Sequence, residues 1–266
     1  MVRQHVNPLL LRYSTRPSNF QSWSTLFSNP NNPLTLDIGC AKGALLKALA
    51  IRRPNENFLG LEIREEPLLY AVKNSIGIPN LAYLSTNFEL SASKWWAPIT
   101  SSTVMSSTVL ASSSVSASES SSSSSSSSSA AAAAAAASLS SSVSSSMIES
   151  TFEATASCYP GDLKIISILM PDPQFKNRYK KRRTVTSNLI KVLSERQKSG
   201  GRLIFQTDVL SLFEDMKDVL SKEDIVYRIE PRIDSTSSFF DTIESEREAL
   251  VKKQGGSIYC ASYIRC

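Results

Sequence analysis

Apolar residues in this chain alternate between short unbroken runs and stripes at helical spacing. Residues 34–38, 57–61 and 81–84 read as strands, and Ile165, Ile166, Ile168 and Leu169 form a β-branched run of the kind that marks a buried strand. Residues 202–206, 225–229 and 257–264 complete the set. Between them come helical stripes: Ala44, Leu45, Ala48 and Leu49; Leu68, Leu69 and Val72 within 65–76; Val185, Leu189, Ile190 and Leu193, closed by Gly200-Gly201; and Val209, Leu212, Phe213 and Met216. Strand and helix patterns in alternation predict a doubly wound α/β domain with a mostly parallel sheet.

The pattern lapses twice. Residues 1–33 carry Arg3, Arg12, Arg16, scattered aromatics and three Asn-Pro breaks, and read as an N-terminal arm ahead of a single domain over 34–266. Its abrupt opening at Arg3, Gln4, His5 and Val6 leaves upstream sequence open. From about residue 91, and fully over about 99–157, composition collapses into serine and alanine, although Trp95 and Trp96 still belong to the fold. Such a tract has too little apolar area to offset ordering entropy, so a long disordered insertion is expected between the third and fourth strands. Loop-closure cost grows only logarithmically with length, so the sheet tolerates it.

Composition narrows the chemistry. The 266 residues carry a net charge of +5, and six of the cations are Lys176, Arg178, Lys180, Lys181, Arg182 and Arg183, with Phe175 and Tyr179 interleaved. That cluster suits phosphate contacts and base stacking, so nucleic acid is the first candidate partner. His5 is the sole histidine and the four cysteines include no C-x-x-C pair, so metal sites, disulfide frameworks and Ser-His-Asp or Cys-His catalysis read poorly. A reducing compartment fits. No apolar run reaches the roughly 20 residues that span a bilayer, and the start lacks a signal-peptide core, so no membrane partner is expected.

The basic cluster follows a strand and the tripeptide Pro171-Asp172-Pro173, which fixes the Asp172 carboxylate on stiff backbone at the carboxyl edge of the sheet, where open α/β sheets bind ligands. At the first strand's end Gly39 lets backbone approach a ligand, and Gly43 permits close packing of the following helix. The turn is neither G-x-G-x-x-G nor a P-loop. Glu62 ends the second strand at the spacing where an acid bonds ribose hydroxyls, so Asp37 and Glu62 flank one nucleotide-like pocket; a surface pair of Glu62 with Arg64 or Arg53 is the plainer alternative. Asn87 follows the third strand, as a reader of an adenine edge or as a turn former. Asp208 ends the fifth strand on the same edge, with helix capping as its other reading, and Ser245 and Glu248 fit a capping box at 245–248.

The segments DIGCAKG, NFLGLEIR, NLAYLSTN, PDPQFKNRYKKRR and FQTDVLSLFEDM, in this order, resemble the tRNA (guanine-N7-)-methyltransferase family of class I, S-adenosylmethionine-dependent enzymes. The opening VRQHVNPL looks most like the branch of cyanobacteria and plants. The resemblance implies the seven-stranded Rossmann-like methyltransferase sheet, S-adenosylmethionine as cofactor and methyl transfer to N7 of a variable-loop guanosine in tRNA. It assigns the donor to Asp37, Glu62, Asn87 and Asp172, with Asp172 central to catalysis. Lys176, Asp208 and Ser245, Glu246, Arg247 and Glu248 would face the guanosine, and Arg178, Lys181, Arg182 and Arg183 the tRNA backbone. Ala41 stands where a glycine is common, Gln174 where an aromatic is usual, and Ser245 where threonine is typical. Methylation of another substrate and a non-catalytic RNA-binding protein are the alternatives. The tRNA set, an accessory subunit or homodimer, and nucleus, cytosol or plastid all stay open.

Overall fold

The computed structural model describes residues 6–99, 156–222, 226–230 and 236–266. The serine/alanine insertion expected to be disordered lies outside the described residues, as do His5 and Ile225. Seven strands, β1 (Leu34–Ile38), β2 (Asn57–Leu61), β3 (Leu81–Leu84), β4 (Leu163–Leu169), β5 (Arg202–Thr207), β6 (Tyr227–Ile229) and β7 (Tyr259–Arg265), form one sheet in the order β3-β2-β1-β4-β5-β7-β6. The first five pair in parallel, while β7 runs antiparallel to β5 and β6. The order reverses between β1 and β4, and that switch point opens a crevice at the strands' carboxyl ends.

Period-two alternation sends each strand's side chains to two covered faces. Leu36, Leu59, Leu61, Ile166, Ile168 and Phe205 enter one apolar cluster; Phe58, Leu81, Tyr83 and Ile204 enter the other. The helices are α1 (Trp23–Leu26), α2 (Ala44–Arg52), α3 (Glu65–Lys73), α4 (Phe88–Ser91), α5 (Ser187–Ser194), α6 (Leu210–Ser221) and α7 (Glu246–Lys253).

Three expectations are corrected. The part of the expected arm that is described, residues 6–33, does enter the core: Phe20, Trp23 and Phe27 are buried in the first cluster, and Trp23 meets Trp96 edge-on at 4.7 Å and Tyr159 at 5.0 Å. Rings without regular spacing leave no periodic trace, yet each buries a large apolar area. Secondly, α2 buries Leu45, Leu46, Leu49 and Ala50 rather than Ala44 and Ala48. In α3, which stops at Lys73, Ala71 is buried while Leu69 and Val72 are exposed. Thirdly, α5 ends at Ser194, before Gly200-Gly201, because Arg196 and Gln197 turn inward and bond strand and loop carbonyls. Trp95 and Trp96 are buried as expected, and Trp96 bridges Ser157 in parallel, so the two flanks of the insertion are pinned side by side.

Candidate active site

Beyond β1 the chain must turn sharply, and Gly39 does so at φ 87°; a Cβ there would meet nothing within 4 Å, so the space beside it is open. Gly39 and Cys40 donate their N–H groups to the Leu61 carbonyl at 2.8 and 3.1 Å, tying the turn to the end of β2. Ala41 holds φ 49°, a left-handed backbone that explains a glycine preference there, and its N–H donates to Glu62 Oε2 at 3.1 Å. Gly43, at φ 69°, caps α2; a Cβ on it would run into the Tyr83 ring, whose hydroxyl donates to the Gly43 carbonyl at 2.8 Å. Close packing is thus the reason for Gly43.

Two buried carboxylates stand behind this turn. Asp37 pairs in register with Gly60 on β2 and Ser167 on β4, and Ser167 Oγ donates to its Oδ1 at 2.8 Å. Burial pushes the Asp37 carboxyl up to about 7; the Ser167 hydrogen bond opposes the shift and the Glu62 charge adds to it. Glu62 is 3% exposed and accepts from Ala41 N, Arg64 N, Arg64 Nε and the terminal Arg64 nitrogen, at 3.1, 2.9, 3.1 and 2.8 Å. The Arg64 pairing weighed from the sequence is therefore real, but it lies beside the cavity rather than on open surface. Arg53 instead grips Asp241. Burial, reinforced by both carboxylates, pushes the neighbouring Cys40 thiol well up, which leaves it a poor nucleophile.

On the other side of the switch point, Met170 leaves β4 at φ 52° with its N–H on the Gln206 carbonyl at 2.7 Å. Asp172 follows between its prolines, exposed, and its Oδ1 accepts from the N–H of Gln174, itself at φ 47°. Two left-handed non-glycine residues around one acid are a costly local arrangement of the kind concentrated at functional sites. The chain then enters a 3-10 helix, Asn177–Arg182. Lys176, Arg178 and Lys181 are exposed on it or beside it, and the Arg178 and Arg182 guanidiniums lie 4.8 and 4.6 Å from the Tyr179 ring centre.

These elements enclose a cavity of about 580 Å³, within the usual range of roughly 300–1,000 Å³ for cofactor sites. Asp37, Gly39, Gly43, Glu62, Asp172, Arg182, Asp208, Ser245, Glu246 and Arg247 all line it. Asp208 and Arg247 form a 2.5 Å ion pair there, joining the end of β5 to α7. Asp208 is not a helix cap, since α6 starts after Val209 with no side-chain cap. A second space of about 100 Å³ shares Gly39, Glu62 and Arg182 and adds Asn87, Lys181 and Arg183; Asn87 Nδ2 donates to the Pro8 carbonyl at 3.0 Å.

Lys176, Arg178 and Glu248 line neither space. Glu248 is turned away from the cavity: it is buried in the first turn of α7, with its N–H on Ser245 Oγ at 3.2 Å and its carboxylate 2.8 Å from Lys252. Ser245 thus caps α7 as expected, while the Glu248 carboxylate is seen paired with Lys252. Arg183 also differs from a free phosphate contact, because its Nε donates to the Pro173 carbonyl and it pairs with Asp215. Ser167 went unnoticed from sequence alone. A lone hydroxyl inside the run Ile165-Ile166-Ser167-Ile168-Leu169 was the available signal. Among the described residues no group of three or more His, Cys, Asp or Glu could hold a metal ion, and no helix is long and apolar enough to cross a membrane.

Comparison with known proteins adds an independent observation. Curated tRNA (guanine-N(7)-)-methyltransferases are similar over nearly the whole chain: that of Nostoc sp. is 28% identical, with 99% of this chain and 94% of that protein covered. That of Thermosynechococcus vestitus is also 28% identical, over 100% and 95%. That of Synechocystis sp. is 27% identical, over 84% and 78%. A family model described as "Putative methyltransferase" matches residues 31–93 and 150–261, which is more than half of the chain and includes every strand of the sheet through β6 and the start of β7. On that match, the chain belongs to this methyltransferase family.

Proposed function

We propose that this protein transfers a methyl group from S-adenosylmethionine to N7 of a guanosine in tRNA. The observation that carries the reading is the full-length similarity to proteins bearing that activity in their names, on a chain whose cavity joins buried carboxylates to a cationic helix.

The residues present fit the cofactor. Open space beside Gly39 accommodates a ligand where any other residue would place a Cβ. Glu62 is a carboxylate at the end of β2, and its acceptor positions, now taken by Ala41 and Arg64, suit the two hydroxyls of a ribose once the Arg64 guanidinium yields. Asp37 and Asp172 offer negative charge to a cationic amino acid moiety, and Asn87 offers an amide to a base edge. S-adenosylmethionine supplies, when bound, an electrophilic methyl on a sulfonium sulfur.

Guanine N7 carries an in-plane lone pair and no proton, so its methylation needs no general base. What the protein must provide is alignment, exclusion of water and stabilisation of the purine cation that develops. Asp172 is placed for the last of these, fixed by two prolines at the cavity wall. Its role is electrostatic, so orientation matters more than proton affinity. The exposed Lys176, Arg178 and Lys181 hold the tRNA phosphates, and Asp208, Ser245, Glu246 and Arg247 border the same cavity as the acceptor's walls.

Incubation with methyl-labelled donor and an unmodified tRNA transcript, followed by nucleoside analysis, tests the reading. Label in 7-methylguanosine is expected. Label on another base, on protein or on a metabolite would replace this substrate, and donor-independent RNA binding without transfer would replace the activity.

A further inference from the structure

The loop that carries Asp172 has few means of holding itself. Pro171 and Pro173 have no N–H to donate, and residues 171–175 belong to no helix or strand. Met170 anchors the upstream end through Gln206. The downstream end is held by Arg183, whose Nε donates to the Pro173 carbonyl at 3.2 Å while the same guanidinium pairs with Asp215. Asp215 sits on α6 between Leu212 and Met216, both 2% exposed, so the pair ties the loop to an element fixed in the core. The Arg183 side chain is only 13% exposed. A cation so covered, with its Nε and one terminal nitrogen engaged, is poorly disposed to meet a phosphate. A planar fork serves a carbonyl and a carboxylate together in one fixed geometry that a lysine ammonium does not reproduce.

Resting on the methyl-transfer reading above, we infer that the Arg183–Asp215 pair is a positioning device that fixes the Pro171-Asp172-Pro173 loop for catalysis, and that Arg183 is not part of the tRNA-binding charge. Asp215 then acts on the reaction without touching donor or tRNA, and the pair works as a unit.

The test measures steady-state methylation, tRNA affinity across a salt series and amide hydrogen exchange on full-length wild type, Asp215→Asn, Arg183→Lys and the double variant. Asp215→Asn is expected to lower kcat about 10-fold, as a displacement of under an ångström does. KM for donor and tRNA should stay within about 2-fold and the salt slope should be unchanged. The double variant should be no worse than the worse single one, and Asp215→Glu should recover most of the rate. In the protein alone, the Gln174 and Phe175 amides should exchange faster in Asp215→Asn while protection of α6 persists. That readout needs no activity, so it separates failure of this inference from failure of the methylation reading. Wild-type kcat and exchange in Asp215→Asn would overturn the brace. So would a salt slope lowered by about 0.9 in a further, charge-removing variant, Arg183→Gln, with kcat intact, since that is the signature of a lost phosphate contact.

Discussion

On the β1–β2 side of the cavity, backbone and buried side chains hold one another: the Gly39–Gly43 turn hangs on the Leu61 carbonyl, Glu62 receives Ala41 and Arg64, and Ser167 reaches across the sheet to Asp37. On the β4 side the acid is exposed, its flanking residues are prolines and left-handed corners, and its neighbours are cations pointing to solvent. The first side is a pocket completed by folding. The second is a strained loop with an anion-seeking surface attached, stiffened by its own prolines and touched from outside by Arg183. A small donor suits a preformed pocket, and a large polyanion is met by exposed charge whose register the sheet edge sets.

The largest effect should come from the loop side. Asp172→Asn keeps the shape and removes the charge, and turnover at saturating donor and tRNA should fall on the order of 10²-fold or more while both ligands still bind. Near-normal turnover would make Asp172 a turn residue only. On the pocket side the dominant effect should be on stability. Gly43→Ala forces a Cβ toward the Tyr83 ring on a backbone at φ 69°, and should cost about 2–3 kcal/mol in chemical denaturation; an unchanged midpoint would show that the packing is looser than described.

The smallest effect concerns Asp37 and pH. Burial holds its folded carboxyl at about 7, against 3.8 for the unperturbed group. Between those values the folded state keeps a proton that the unfolded state has lost, so this group's contribution to stability falls as pH rises from about 4 to 7 and levels off above. Asp37→Asn should remove that slope and be more stable than wild type at pH 8 by about 1–2 kcal/mol, while losing donor affinity. A slope that survives the substitution would place the titration elsewhere.

The sheet was legible because its signals are local and periodic. β1, β2 and β3 fall where apolar runs place them, and β4 and β5 extend only slightly past their expected bounds. Position on the cavity wall was legible where an acid falls at or near a strand end, as for Asp37, Glu62, Asp172 and Asp208. What escaped depends on contacts distant in sequence. Trp23 joins the core through partners 73 and 136 positions away, and no spacing rule exposes that. The basic run was one object in the sequence, yet it divides in space: Arg178 and Lys181 face out, Arg182 stacks on Tyr179, and Arg183 turns inward to Pro173 and Asp215. Replacing Lys181, Arg182 and Arg183 together would therefore disturb the loop as well as the charge, and Arg178 with Lys181 is the cleaner pair.

The most direct test of the division between the two sides measures donor and tRNA affinity on two variants. Glu62→Gln should weaken S-adenosylmethionine by about 10-fold or more, the scale of a lost charge-assisted hydrogen bond, and leave tRNA affinity unchanged. Arg178→Ala with Lys181→Ala should leave the donor unaffected, weaken tRNA and lower the slope of log affinity against log salt by up to about 0.9 per lost phosphate contact. Both variants losing the same ligand, or the basic pair losing the donor with its tRNA salt slope intact, would contradict the account.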